Sequence, residues 1–261
     1  MNINEEASKR WDKESDHLQN VFDLGENPYN RMVIDFFINQ LGLRQGFRIL
    51  DIGCGVGKYG FLLSELGCDV TLIDISEKMV EKAKENLSAS SGRWTVRRVD
   101  WDSIEEKDPL MEDGFDIVMS TMSPAIHDES TVEKAIKVCR GYVFLTHFIR
   151  WDIDDVKRDI FASSGIRYED PSEGMKSQAE HVEDILAEKG ISFDTFIKEY
   201  AWEDELTVEK YVKKTLMRHF HGDLSDEDKA RFFHTAASYA DEDGLIKDSV
   251  RTDVKWICFK A

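Results

Sequence analysis

Ile49-Leu50-Asp51-Ile52-Gly53-Cys54-Gly55-Val56-Gly57-Lys58-Tyr59-Gly60 is the stretch on which the reading of this chain turns. A short apolar run suits a buried strand; glycines at alternate positions follow, and then the start of a helix. Passing from strand to helix so abruptly calls for positive φ and close backbone approach, which glycine supplies at least cost. The helix beyond presents unpaired N–H groups and a positive dipole end. Together these pieces form a nucleotide-binding corner at the carboxyl edge of a parallel sheet.

Working outward, short β-rich runs alternate with helical ones from Phe47 on. Strands are predicted over Arg48–Asp51, Val70–Asp74, Thr95–Val99, Asp116–Ser120 and Tyr142–His147, with helices near Tyr59–Leu66, Glu77–Leu87 and Thr131–Cys139. Ser76 is placed to N-cap the second helix, and Ser130-Thr131-Val132-Glu133 has capping-box spacing for the third. Such alternation implies parallel pairing through right-handed crossovers. Upstream, residues 1–46 read as an N-terminal helical cap, broken at Asn27-Pro28. Downstream, residues 47–261 read as the core, with helical insertions at about 149–175 and 204–245. That part carries one helix within the acidic 149–174 segment, helices at Gln178–Glu188, Val208–Phe220 and Asp226–Ala240, and strands at Ser192–Tyr200 and Asp253–Phe259. Ser225 opens the last helix. A late strand added after an excursion is expected to run antiparallel. The predicted fold is α/β: a Rossmann-like, mostly parallel seven-stranded sheet with an antiparallel last strand, plus a helical cap.

The 261 residues carry 34 basic and 52 acidic side chains, a formal charge of −18. That field repels phosphate backbones and disfavours a nucleic-acid partner. No apolar run approaches the roughly 20 residues that span a bilayer, and no apolar targeting segment opens the sequence. Cys54, Cys68, Cys139 and Cys258 are dispersed, which fits reduced thiols in a cytoplasmic protein rather than a disulfide framework. His219 and His221 lack a third ligand at useful spacing, so no metal site is expected.

Gly55-x-Gly57-x-x-Gly60 meets the spacing of dinucleotide sites, a weak match by itself. The longer Asp51-x-Gly53-x-Gly55-x-Gly57 is more specific, and here the chain closely resembles the class I S-adenosylmethionine-dependent methyltransferases of small-molecule type. The resemblance implies S-adenosyl-L-methionine as cofactor and S-adenosyl-L-homocysteine as product. It gathers Asp51, Gly53, Cys54, Gly55, Gly57, Asp74, Ile75, Met79, Asp100, Trp101 and Ser120 around that cofactor. Asp51 suits the cofactor's ammonium, directly or through water. Asp74, about 20 residues beyond the glycines, suits ribose hydroxyls. In the family, an acid placed as Asp100 accepts from the adenine amino group, and a residue placed as Trp101 flanks the ring. Met79 resembles the apolar residue that packs on the adenine, with core packing as its other reading. Phe115-Asp116-Ile117-Val118 resembles the fourth family motif, after which the loop lies beneath the transferable methyl. Ser123-Pro124 echoes an amino-methylating motif, but Ala125 and Ile126 replace its second proline and aromatic residue.

Methyl transfer from a sulfonium is an in-line displacement, so the protein must align the reactants and exclude water. A base is needed only if the acceptor loses a proton. His127, in the loop after the fourth strand, and His147, closing the fifth, are the catalytic candidates. Trp11, Phe22, Tyr29, Trp151, Phe161, Tyr168 and Trp202 lie in pieces that could form a lid over a small-molecule acceptor, while core packing is the better reading of each taken singly. Three readings stay open beside this one: an NAD(P)-dependent oxidoreductase, a non-catalytic adenosylmethionine-binding module, and a protein-methylating enzyme. The acceptor and the oligomeric state are not legible.

Overall fold

The computed structural model describes residues 3–19, 27–112, 114–168, 177–220 and 224–261. In chain order the elements are α1 (Glu5–Gln19), α2 (Pro28–Asn39), β1 (Arg48–Ile52), α3 (Lys58–Glu65), β2 (Asp69–Asp74), α4 (Glu77–Leu87), β3 (Arg93–Arg98), β4 (Phe115–Thr121), α5 (Glu129–Val138), β5 (Cys139–Ile153), α6 (Asp155–Ser164), α7 (Gln178–Glu188), β6 (Phe193–Thr207), α8 (Val208–His219), α9 (Asp226–Ala237) and β7 (Leu245–Lys260). The strands form one sheet in the order β3-β2-β1-β4-β5-β7-β6. β1 pairs in parallel with β2 and with β4, and the β2–β3 and β4–β5 pairings are parallel too. The late strand β7 enters between β5 and β6 in the antiparallel sense. Chain order reverses at β1, between β2 and β4, and ligands of such sheets bind in the crevice opened there.

Two compact units divide the chain: residues 1–147, 178–196 and 255–261 form the first, residues 148–177 and 197–254 the second. In the first, β1 and β4 are buried almost throughout, as expected of strands covered on both faces. Its aromatic core joins α2 to β5 and β7: Phe37 meets Phe144 edge-on at 5.0 Å, and Phe144 meets Trp256 at 5.2 Å. Tyr29, one of the aromatics for which the sequence offers both a lid and a core reading, belongs to this core, where its hydroxyl accepts the Trp256 indole N–H at 2.7 Å.

Local signals place most of the helix ends. Ser76 caps α4 by accepting from the Met79 amide, and Ser225 caps α9 through the Asp228 amide. The capping box expected at Ser130 is instead made two residues earlier. Asp128 accepts from the Thr131 amide at 2.8 Å, and Thr131 Oγ1 accepts the Asp128 amide at 3.0 Å. An ionised carboxylate at the positive end of the helix outcompetes a hydroxyl there. Trp202, placed after the sixth strand in the sequence reading, lies within β6, its ring 5.1 Å from that of Tyr200. Phe22, His221 and the Trp151 side chain fall outside the described residues.

In the second unit Phe161 packs edge-on against Phe232 and Tyr168, at 5.0 and 5.5 Å, so Phe161 and Tyr168 also serve a core. Beside that core lies a buried charge network. Lys157 Nζ contacts Asp248 at 2.5 Å, Asp154 at 3.2 Å and the Ser249 carbonyl at 2.9 Å. Lys214 Nζ bridges Asp248 and Asp204 at 2.7 and 2.9 Å. Burial pushes the Asp248 carboxyl up, but the two ammoniums beside it outweigh that and hold it below the usual carboxylate range. Because its folded pKa lies below the unfolded value, this stabilisation is present above about pH 4 and is lost as pH falls further. Lys157→Met leaves Asp248 buried with one cation fewer, and should cost about 3–5 kcal/mol in urea unfolding at pH 7. A loss under about 1 kcal/mol, typical of exposed pairs, would show the network to be energetically idle.

Candidate cofactor and active site

The glycine turn hangs from the end of β2. The Gly53 and Cys54 amides donate to the Ile73 carbonyl at 2.8 and 3.0 Å. One residue on, Asp74 divides its carboxylate between the Gly55 amide, 2.9 Å from Oδ2, and the Ser76 amide, 2.9 Å from Oδ1. Asp74 thereby joins the turn after β1 to the start of α4. Burial raises its carboxyl above the ordinary value, against the lowering effect of the amides it accepts from.

Asp51 lies one strand over and is 1% exposed, and its Oδ1 has no hydrogen-bond partner. Burial, and then the Asp74 carboxylate, push its pKa to about 7, with the Lys58 ammonium opposing. An orphaned, desolvated acid is costly to the fold and usually marks a site. Two glycines show what the turn requires. Gly55 has φ +54° and open space where a Cβ would stand, whereas a Cβ on Gly53 would meet Ser123 Oγ at 2.0 Å. The turn is therefore open at Gly55 and closed at Gly53 by the loop after β4.

That loop is itself strained. Met122 holds φ +52°, a left-handed conformation for a residue with a side chain, which costs on the order of 1–3 kcal/mol. Its amide is pinned by both the carbonyl and the hydroxyl of Thr146. Farther along, His127 is part exposed, its Nδ1 3.0 Å from the Pro124 carbonyl and 3.9 Å from Asp102. His147, which follows Thr146 on β5, is almost fully buried, and its Nε2 has no hydrogen-bond partner. Burial lowers its pKa to about 4, and a hydrogen bond that the ring donates to the Gln178 side chain opposes this only partly. The imidazole is therefore neutral at pH 7. Gln178 also donates to the Ile126 carbonyl at 2.8 Å, tying the first turn of α7 to the loop after β4. Neither Ser123 nor Gln178 carried a local signal of these roles, because both contacts cross long stretches of chain.

The remaining predicted residues divide by what they touch. Asp100 is buried and accepts the Asn4 amide at 2.9 Å and the Asp102 amide at 3.1 Å. Trp101 is buried with its indole N–H on the Thr131 carbonyl at 3.1 Å. Ser120 donates to the Ile52 carbonyl at 2.9 Å, lacing the ends of β4 and β1 together. Met79 is buried on α4, and the half-buried Ile75 offers its carbonyl to Arg98 at 3.1 Å. A Cβ on Gly57 would run into Leu87 of α4 at 2.6 Å, so that glycine packs helix on helix. The Cys54 thiol is held well above its ordinary pKa by burial and by Asp74 and Asp51, which disqualifies it as a nucleophile.

Gly55→Ala should lower stability by about 1–2 kcal/mol, the cost of a left-handed alanine. Gly53→Ala should cost more, since it adds the collision with Ser123. Thermal melts of the two variants check the order, and an equal or reversed order would contradict this packing.

Residues 49–143, from β1 into β5, match the family model described as a methyltransferase domain. The ribosomal protein L11 methyltransferase of Thermotoga neapolitana is 33% identical over 131 residues, 47% of this chain and 47% of that protein. The chain thus spans about half the length of such curated relatives. The glycine/sarcosine N-methyltransferase of Aphanothece halophytica is 25% identical over 67% of this chain and 70% of that protein. Among solved structures, phosphoethanolamine N-methyltransferase 2 of Haemonchus contortus superposes with a TM-score of 0.50 at 17% identity, covering 89% of this chain and 52% of that one, a likeness of fold. With the glycine turn and its acids in place, residues 49–143 match a methyltransferase domain and carry the motif by which the chain resembles the class I, S-adenosylmethionine-dependent family.

Proposed function

We propose that this chain is a methyltransferase that passes a methyl group from S-adenosyl-L-methionine to a small-molecule acceptor, leaving S-adenosyl-L-homocysteine. The observation that carries the reading is the orphaned Asp51 Oδ1 beside the open turn at Gly55. An ammonium placed on that oxygen would satisfy it, and a pyrophosphate would be repelled by Asp51 and Asp74 together. In this assignment Asp51 holds the cofactor's amino-acid end, and Gly53, Cys54, Gly55 and Gly57 shape the turn against it. Asp74 and Ile75 serve the ribose, while Met79, Asp100 and Trp101 serve the adenine. Ser120 supports the floor. Bound adenosylmethionine supplies a methyl already activated on a sulfonium.

The chain's own work is to align the acceptor and exclude water. His147, neutral and with Nε2 unpartnered, is the group proposed to accept a hydrogen bond from the acceptor, and His127 the second such group, nearer solvent. The charge of −18 argues against a nucleic-acid substrate. Four free cysteines accord with a cytoplasmic setting, and no helix among the described residues is long and apolar enough to cross a membrane. A protein acceptor is the second reading, favoured by the identity to the L11 methyltransferases.

Calorimetry should show S-adenosylhomocysteine binding and no NADH binding; the reverse would assign the corner to a dinucleotide. Asp74→Asn should weaken that binding at least tenfold, and a change within twofold would remove Asp74 from the ribose. The pH dependence is set by Asp51, with Asp74 and Lys58 facing it. The free carboxyl is mostly protonated below pH 7 and a bound ammonium favours its charged form, so binding releases about one proton near pH 6. Affinity should then rise by close to tenfold per pH unit around pH 5.5, easing to about threefold per unit at pH 7. Asp51→Asn should flatten that slope, and a wild-type affinity independent of pH would rule out a titrating Asp51.

A further inference from the structure

α1 is a strongly polar helix, and among its described side chains a row of hydrogen bonds fastens it to the first unit. Asn4 caps the helix, its Oδ1 accepting from the Ala7 amide at 3.2 Å, while its own amide donates to Asp100. One turn on, the buried Ser8 accepts from Arg98 Nη2 at 2.9 Å, and Glu5 lies 3.5 Å from the same guanidinium. Another turn on, Asp12 Oδ1 accepts from Ser76 Oγ at 2.5 Å and from the Lys78 amide at 3.2 Å. Asn4, Ser8 and Asp12 recur every fourth residue and so share one face of the helix. At 1.5 Å per residue that stripe runs about 12 Å. Its two ends stand on Asp100, after β3, and on Ser76, whose amide is held by Asp74 after β2. Those are the two acids assigned above to the adenine and the ribose.

We infer that α1 is a strap across the nucleoside end of the cofactor site, with Asn4, Ser8 and Asp12 as positioning residues whose release times cofactor exchange. The inference rests on the cofactor assignment under Proposed function. A polar helix of this length is marginal on its own, so its docking depends on these few bonds. Each bond can be exchanged for one to water, which makes opening inexpensive. Asp100 can keep the Asn4 amide and still accept an amino group, because each carboxylate oxygen has two lone pairs. Docked, the strap therefore closes the pocket without competing for the ligand.

Stopped-flow release of S-adenosylhomocysteine, followed by tryptophan fluorescence, tests this on the full chain. Asp12→Ala and Asn4→Pro, which removes the amide donor, should each raise the dissociation rate at least tenfold. The association rate should rise as well, so that affinity falls by a smaller factor. Asp12→Asn, which keeps an acceptor, should stay within threefold of wild type, and Lys9→Ala, on the exposed side of α1, should match it. Unchanged dissociation in both Asp12→Ala and Asn4→Pro would overturn the strap. Tighter binding in either would also overturn it, by showing that α1 blocks the pocket. A wild-type protein that binds no S-adenosylhomocysteine would instead bring down the cofactor assignment and the strap with it, an outcome distinct from the other two.

Discussion

The Asp74 carboxylate, buried at the end of β2 and shared between the amides of Gly55 and Ser76, holds the site together. A buried carboxylate must be fully hydrogen-bonded or it becomes protonated. Here the bonds come from two loops that would otherwise be independent. The shape of the glycine turn and the direction in which α4 leaves the sheet are therefore coupled through one side chain. A ligand touching Asp74 reports on both.

The polar groups of the first unit differ in how completely they are satisfied, and this separates architecture from chemistry. Ser120 and Trp101 spend their donors on carbonyls of neighbouring elements. Asp51 Oδ1 and His147 Nε2 are buried without partners. In the second unit the Lys157–Asp248–Lys214 network shows the alternative, in which every charge is placed against an opposite one. A fold that can pair its buried charges so well in one place, yet leaves an acid and an imidazole unmatched in another, directs attention to what those two groups await. Methyl transfer needs little more from a protein than an anchored cation and an aligned acceptor.

Much of this was legible in the residues. The ranges of α4 and α7 emerged as read, Ser76 and Ser225 cap where a hydroxyl ahead of a helical run should, and the alternation of strand and helix implied the parallel half of the sheet. Other features were not legible, for stated reasons. Asp128 rather than Ser130 caps α5, and the choice between two candidates two residues apart turns on the carboxylate's charge and on where the preceding loop delivers the chain. β6 was read too short at its far end: residues 201–207 alternate in burial, but the inward position at 204 is filled by an aspartate paired with Lys214, so no apolar alternation marks the strand there. Tyr29 lay open between lid and core in the sequence, and only its meeting with Trp256, 227 positions away, decides for core.

Local chemistry therefore accounts for the glycine turn, the acids at the strand ends and the caps, since each depends on residues a few positions apart. Which acids stay unpartnered, which loop closes over Gly53, and which face of α1 meets Asp100 and Ser76 are set by contacts between distant segments. Such contacts leave no periodic trace in the chain, because the partners are selected by packing in three dimensions and not by spacing along it.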